Sequence, residues 1–130
     1  MGRPIFAQAA QAQEPGSEAA RYTVGVLGLG LIGGSLAKAY RDAGWRVLAH
    51  DLDDDTMGAA RVETIDGTLD EATVGECDLI LLAVYPGGCI SWLRQNASLV
   101  RKDALVVDCA GVKREVCEAC LPIAREHGFT

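Results

Sequence analysis

The feature that most restricts the fold is a glycine turn, Gly28-Leu29-Gly30-Leu31-Ile32-Gly33, set between two different hydrophobic patterns. Ahead of it, Val24-Gly25-Val26-Leu27 is a short apolar run, the pattern of a strand buried on both faces. Behind it, Leu36, Ala37 and Tyr40 fall at helical spacing and Gly44 closes the pattern. Each glycine has its own reason. Gly28 lets the chain turn sharply off the strand end. Gly30 lacks the Cβ that would hold a pyrophosphate away from the backbone. Gly33 lets the helix lie close on the strand. The helix then starts with free N–H groups and the positive end of its dipole directed at an anion.

Alone, Gly-x-Gly-x-x-Gly is a weak signal, because glycine-rich turns are common. A second feature supports it. The next apolar run, Arg46-Val47-Leu48-Ala49-His50-Asp51, ends in an acid. It lies near the roughly 20-residue distance at which a carboxylate accepts hydrogen bonds from the adenine ribose of NAD. The bland reading is ordinary glycines and a surface Asp. The complete strand–turn–helix–strand–Asp frame favours a dinucleotide site built from Gly28, Leu29, Gly30, Leu31, Ile32, Gly33 and Asp51. Asp53, Asp54 and Asp55 add negative charge there, and no Arg is near in sequence. Repulsion of a 2′-phosphate therefore predicts NAD rather than NADP.

Residues 1–20 are rich in Ala, Gln, Glu, Gly and Pro without an apolar face, and read as a disordered lead-in. Residues 21–130 read as one dinucleotide-binding domain. Strands are expected at about Tyr22–Leu27, Arg46–Asp51, Thr64–Asp66, Cys77–Val84 and Ala104–Asp108. Helices are expected at Leu31–Asp42, from Asp53 or Asp54 to Arg61, in a short acidic piece at Leu69–Val74, after Pro86, and at Lys113–His127. Ile90, Leu93 and Ala97 should share one helix face, and Pro122 should kink or split the last helix. Phe129-Thr130 reads as the first step of another strand. This alternation implies an α/β fold, a doubly wound parallel sheet of Rossmann type. Ligands of such sheets sit outside the carboxyl ends of the strands. Ala83-Val84-Tyr85-Pro86 and the stretch from Asp108 to Lys113 share that edge with the glycine turn. Tyr85 reads equally well as a half-buried loop aromatic.

Other classes are disfavoured. With 130 residues, 49% of them hydrophobic, the chain can bury one compact core but is short for a two-domain oxidoreductase. A formal charge of −6 without a dense Lys or Arg run argues against nucleic acid and anionic membranes. No apolar run approaches the ~20 residues that span a bilayer. A secretory signal lacks its apolar core, and Phe6 stands where myristoylation needs Ser or Thr. Five scattered cysteines suggest a reduced, cytoplasmic protein. Cys117 and Cys120 lack a second pair at metal spacing and read as two small side chains a helical turn apart. His50 should point away from Asp51 by strand alternation, and His127 ends a helix, so both read as structural. The residues alone yield a cofactor site, no metal site and no catalytic base.

Three stretches together resemble the prephenate and arogenate dehydrogenases. They are Gly28-Leu29-Gly30-Leu31-Ile32-Gly33-Gly34-Ser35-Leu36-Ala37, Asp78-Leu79-Ile80-Leu81-Leu82-Ala83-Val84-Tyr85-Pro86, and Val106-Val107-Asp108-Cys109-Ala110-Gly111-Val112-Lys113. The resemblance covers about residues 21–130. It implies NAD-dependent oxidative decarboxylation of prephenate to 4-hydroxyphenylpyruvate, in tyrosine biosynthesis, with Gly111 and Lys113 on the substrate side. Many members have Ser at the place of Gly111, where it contacts the reacting hydroxyl. The family's catalytic His, in a Gly-Gly-His-Pro-Met-Ala-Gly loop, and its helical homodimerisation domain fall after the last residue here. The resemblance thus implies an incomplete domain, inactive alone and with an exposed sheet edge. Two alternatives stand beside it: a non-catalytic NAD-binding regulatory module, and another NAD(P)-dependent reductase such as an imine or coenzyme-F420-linked enzyme.

Overall fold

Strand β1 (Thr23–Leu27) is the centre of a parallel sheet, and every one of its residues is buried. The chain then alternates: α1 (Leu31–Asp42), β2 (Arg46–His50), α2 (Asp54–Glu63), β3 (Gly67–Thr68), β4 (Leu79–Leu82), α3 (Pro86–Asn96), β5 (Leu105–Asp108) and α4 (Lys113–His127). The structure is a computed structural model that describes residues 21–63, 65–109 and 113–130. The expected lead-in, Thr64 and Gly111 lie outside the described residues. The five strands stand in the order β3-β2-β1-β4-β5, all parallel. The order reverses at β1, which puts the switch point, and so the ligand crevice, between β1 and β4.

The pleat sorts the core into two layers. Val24 and Val26 of β1, Val47 and Ala49 of β2, and Leu79 and Leu81 of β4 face α1, against Ala37 and Trp45. Leu27, Leu48, Ile80 and Leu82 face the other way, toward Cys89 and Leu93 of α3 and Val116 of α4. Both faces are covered, which is why these strands read as unbroken apolar runs. Gly25 is small for a local reason: a Cβ there would lie 2.9 Å from Cys77 Sγ and 3.0 Å from Leu69.

The far edge of the sheet is pinned by carboxylates. Asp78 accepts the Thr23 N–H at 2.8 Å and pairs with Arg101. Asp66 accepts the Val47 N–H at 2.8 Å and pairs with Arg21 at 3.2 Å. These contacts hold the starts of β1 and β2 and leave the opposite edge to the site.

Several expectations need correction. The third strand is Gly67–Thr68, after Ile65 and Asp66 rather than on them, because Asp66 is committed to the Val47 N–H and to Arg21. The stretch from Leu69 to Thr73 is no helix; a single 3-10 turn follows at Val74–Glu76. β2 stops at His50, and β4 is confined to Leu79–Leu82. On α3 the buried residues are Cys89 and Leu93, with buried Ala97 just past the helix end in a 3-10 turn, and Ile90 is only half-buried. Pro122 does not split α4, which runs unbroken from Lys113 to His127. Thr130 does begin to pair beside β5: its carbonyl accepts the Val106 N–H at 2.7 Å.

Candidate functional site

The site is assembled where β1 hands over to α1. Gly28 has φ +90°, and a Cβ on it would stand 2.6 Å from the Ala83 carbonyl oxygen and 2.7 Å from Val84 Cγ1. A Cβ on Gly33 would stand 1.8 Å from the Gly28 carbonyl oxygen. These two glycines are therefore fixed by the protein's own packing. Gly30 differs: a Cβ there meets no atom within 4 Å, so nothing inside the protein requires a glycine. Gly30 is also the N-cap of α1, with no side-chain cap and no acid in the first turn. The positive end of the helix thus opens, without a side-chain acceptor, above a position kept bare on its outer side. That is the form of a cradle for a phosphate group.

Asp51 is tied to this turn. Its Oδ2 accepts the Leu29 N–H at 2.7 Å and its Oδ1 accepts the Asp53 N–H at 2.9 Å. A carboxylate offers about four lone-pair directions, so acceptor capacity remains on both oxygens. Asp53 stays anionic beside it. The Thr56 hydroxyl and the N–H groups of Asp55 and Thr56 hold its carboxyl below the ordinary value. The turn also joins the neighbouring strand through its backbone, since the Gly28 N–H donates to the His50 carbonyl at 2.8 Å.

Next to Asp51 a cleft of about 330 Å³ runs between the ends of β1 and β2 and the outer wall of α3. Of the residues expected at the site, Gly28, Asp51, Val84 and Tyr85 line it. Leu31 and Ile32 stand exposed at the start of α1. Leu29 contributes its N–H to Asp51, and Ala83 packs behind Gly28 and Gly33. Pro86 is the first residue of α3, and Lys113 the first of α4. Sequence reasoning missed Leu52, Gly88, Ser91, Trp92 and Gln95. Gly88, Ser91 and Gln95 recur at i, i+3 and i+7, a stripe with no large apolar side chain, polar at Ser91 and Gln95, that could have been read as the outer face of α3.

His50 also lines the cleft, which corrects the expectation that it faces away from Asp51. The physical reason is the strand end: β2 stops at His50, so Asp51 lies beyond the pleat and alternation no longer relates the two. A larger, open groove of about 760 Å³ between α3 and α4, bordered by Arg94, Glu115 and Glu118, touches neither the glycine turn nor Asp51. Among the described residues no cluster of His, Cys, Asp and Glu could hold a metal ion.

The sequence of residues 36–129 matches the family described as prephenate dehydrogenase, nucleotide-binding domain. The chain belongs to this family. The match begins after Gly33, so it is independent of the glycine turn on which the geometry rests. Among solved structures, this family domain is similar to Synechocystis arogenate dehydrogenase, with 26% identity, a TM-score of 0.71, and coverage of 78% of this chain and 37% of that one. It is similar to A. aeolicus prephenate dehydrogenase solved with hydroxyphenyl propionate and NAD+, with 24% identity, a TM-score of 0.70, and 79% and 38% coverage. A Streptomyces aurantiacus imine reductase shares the fold at 21% identity and a TM-score of 0.71, with 83% and 38% coverage. The chain thus spans under two-fifths of the length of these structures. No curated protein sequence matches.

Proposed function

We propose that residues 21–130 are the NAD-binding domain of a prephenate-type dehydrogenase. The observation that carries this reading is the 2.7 Å bond between Asp51 and the Leu29 N–H, which ties the candidate ribose acceptor to the glycine turn. The bare outer side of Gly30 and the uncapped start of α1 would receive the pyrophosphate. The free lone pairs of Asp51 would accept the adenine-ribose hydroxyls. Leu52, Val84 and Tyr85 would line the cleft beyond the ribose. When bound, NAD supplies the hydride acceptor for a substrate carbon bearing a hydroxyl. The chain's own residues hold and orient the cofactor.

Family membership and the arogenate and prephenate dehydrogenase likenesses support a substrate of that cyclohexadienyl class. The family's reaction is the oxidative decarboxylation of prephenate to 4-hydroxyphenylpyruvate. Gly111 and Lys113 are the substrate-side candidates, by position in the matching motif. The acidic balance supports small-molecule partners rather than nucleic acid. No helix among the described residues is long and apolar enough to cross a membrane. Work in the cytoplasm, and a homodimer formed through a further domain, follow from the same family reading.

Titration calorimetry of the 130-residue chain with NAD+ and NADP+ tests the reading. NAD+ should bind at least about tenfold more tightly, the scale of one hydrogen bond to a charged group. Asp51→Ala should weaken NAD+ by about 1–3 kcal/mol. Equal affinity of the wild-type chain for both cofactors, or no loss in the variant, rejects the ribose role of Asp51.

A further inference from the structure

The polar stripe of α3 has no assigned work in cofactor binding. Ser91 and Gln95 are one helical turn apart, exposed, and stand on the ridge between the cleft that holds Asp51 and the open groove toward α4, bordering both. An isolated polar pair on a helix surface is ordinarily just solvated. Here the pair shares with Asp51 and Leu52 the lining of a cleft of about 330 Å³, open on one side and large enough for a purine nucleoside. The other walls are mainly apolar or aromatic: Val84, Tyr85, Trp92 and Leu52. A flat heteroaromatic ring suits such walls, and its polar edge then needs a partner.

Gln95 is the one residue of this lining whose side chain presents a planar donor and acceptor side by side. Adenine presents the complementary pair, a 6-amino donor beside a ring-nitrogen acceptor, and a carboxamide matches it in a bidentate fashion. Asp51, Ser91 and Gln95 line the same cleft, so a base attached to a ribose held by Asp51 and turned toward α3 would meet Ser91 and Gln95. We infer that Gln95 reads the edge of the adenine ring and makes the cleft selective for a base carrying a 6-amino group. This rests on the dinucleotide reading above and adds to it a specificity-determining side chain.

The test compares NAD+ with its analogue in which unsubstituted purine replaces adenine, so that the amino donor is removed and nothing is added. Both are titrated into the full 130-residue chain by calorimetry. The wild-type chain should bind the analogue about tenfold more weakly, the effect of one lost directional hydrogen bond. Gln95→Leu should bind both ligands alike, at the analogue's affinity. Gln95→Glu keeps an acceptor for the amino group and should keep the preference between the two ligands even if both bind less tightly. Circular dichroism of each variant checks that α3 stays folded. Equal binding of both ligands by the wild-type chain overturns the inference and leaves the cofactor reading standing. So does an undiminished preference in Gln95→Leu. Binding of neither ligand overturns both.

Discussion

At the scale of single residues, the three motif glycines are not equivalent, and the difference is measurable. Gly33→Ala would drive a Cβ to within 1.8 Å of the Gly28 carbonyl oxygen, so α1 must lift from the sheet. Overpacking against backbone predicts a stability loss of about 3 kcal/mol or more, read by denaturant unfolding. Gly30→Ala meets no atom within 4 Å. Its stability should change by no more than about 1 kcal/mol, the scale of an altered N-cap, while its affinity for NAD+ falls about tenfold or more. A Gly30→Ala chain that binds NAD+ normally would remove the phosphate cradle. From the sequence the three glycines look alike except in spacing, and only the strand–turn–helix frame suggests distinct roles. In the structure Gly28 and Gly33 have no room for a Cβ, and Gly30 has. Asp51 was legible because its distance from the turn is a property of the βαβ unit. His50 was not, because strand alternation holds only while the strand lasts, and β2 ends one residue before Asp51.

At the scale of elements, legibility followed length. β1, α1 and α4 have enough residues for a period to show, and their bounds agree closely with the patterns. β3 has two residues, too few for any period, and its place is set by the Asp66 contacts with Val47 and Arg21. The uninterrupted α4 shows a different competition. Pro122 removes one helical N–H and crowds the preceding turn, yet packing of Val116, Cys120, Ile123 and Ala124 against the core holds the helix together. Pro122 is itself exposed, so Pro122→Ala should restore the missing bond without disturbing that packing. We expect a stabilisation of about 1–3 kcal/mol, seen as a higher midpoint in urea. The cysteines follow the same layering. Cys77 and Cys89 are buried, and burial pushes both thiols up, Cys77 to about 12. Cys117 is exposed. Iodoacetamide at neutral pH should label Cys117 first, and peptide mapping should find Cys77 and Cys89 unmodified until the chain is unfolded.

At the scale of the whole molecule, the buried Cys77 thiol and the half-buried Tyr40 phenol make stability depend on alkaline pH. The Cys77 thiol rises from an ordinary 9.0 to about 12, through burial first and the nearby Asp78 and Glu76 charges second. Tyr40 is raised too, by burial and then by Cys109. The folded chain therefore holds these protons more tightly than the unfolded chain does. Stability is unaffected by Cys77 below about pH 9, then falls as pH climbs from about 9 toward 12. Urea unfolding across that window should show the decline, and Cys77→Ala should make it shallower. On the acid side the sign reverses. Asp103 is held low by Arg101, so its contribution is present above the ordinary carboxylate range and disappears as pH drops below it.

The same carboxylate that would choose between cofactors also braces the loop that would hold their phosphates, through the Leu29 N–H at 2.7 Å. Anyone redesigning this domain for a phosphorylated cofactor by exchanging Asp51 for a neutral or basic residue would unfasten the loop in the same stroke. Such a conversion needs a replacement acceptor for Leu29 elsewhere, and single exchanges at this position should lose the old cofactor well before they gain the new one.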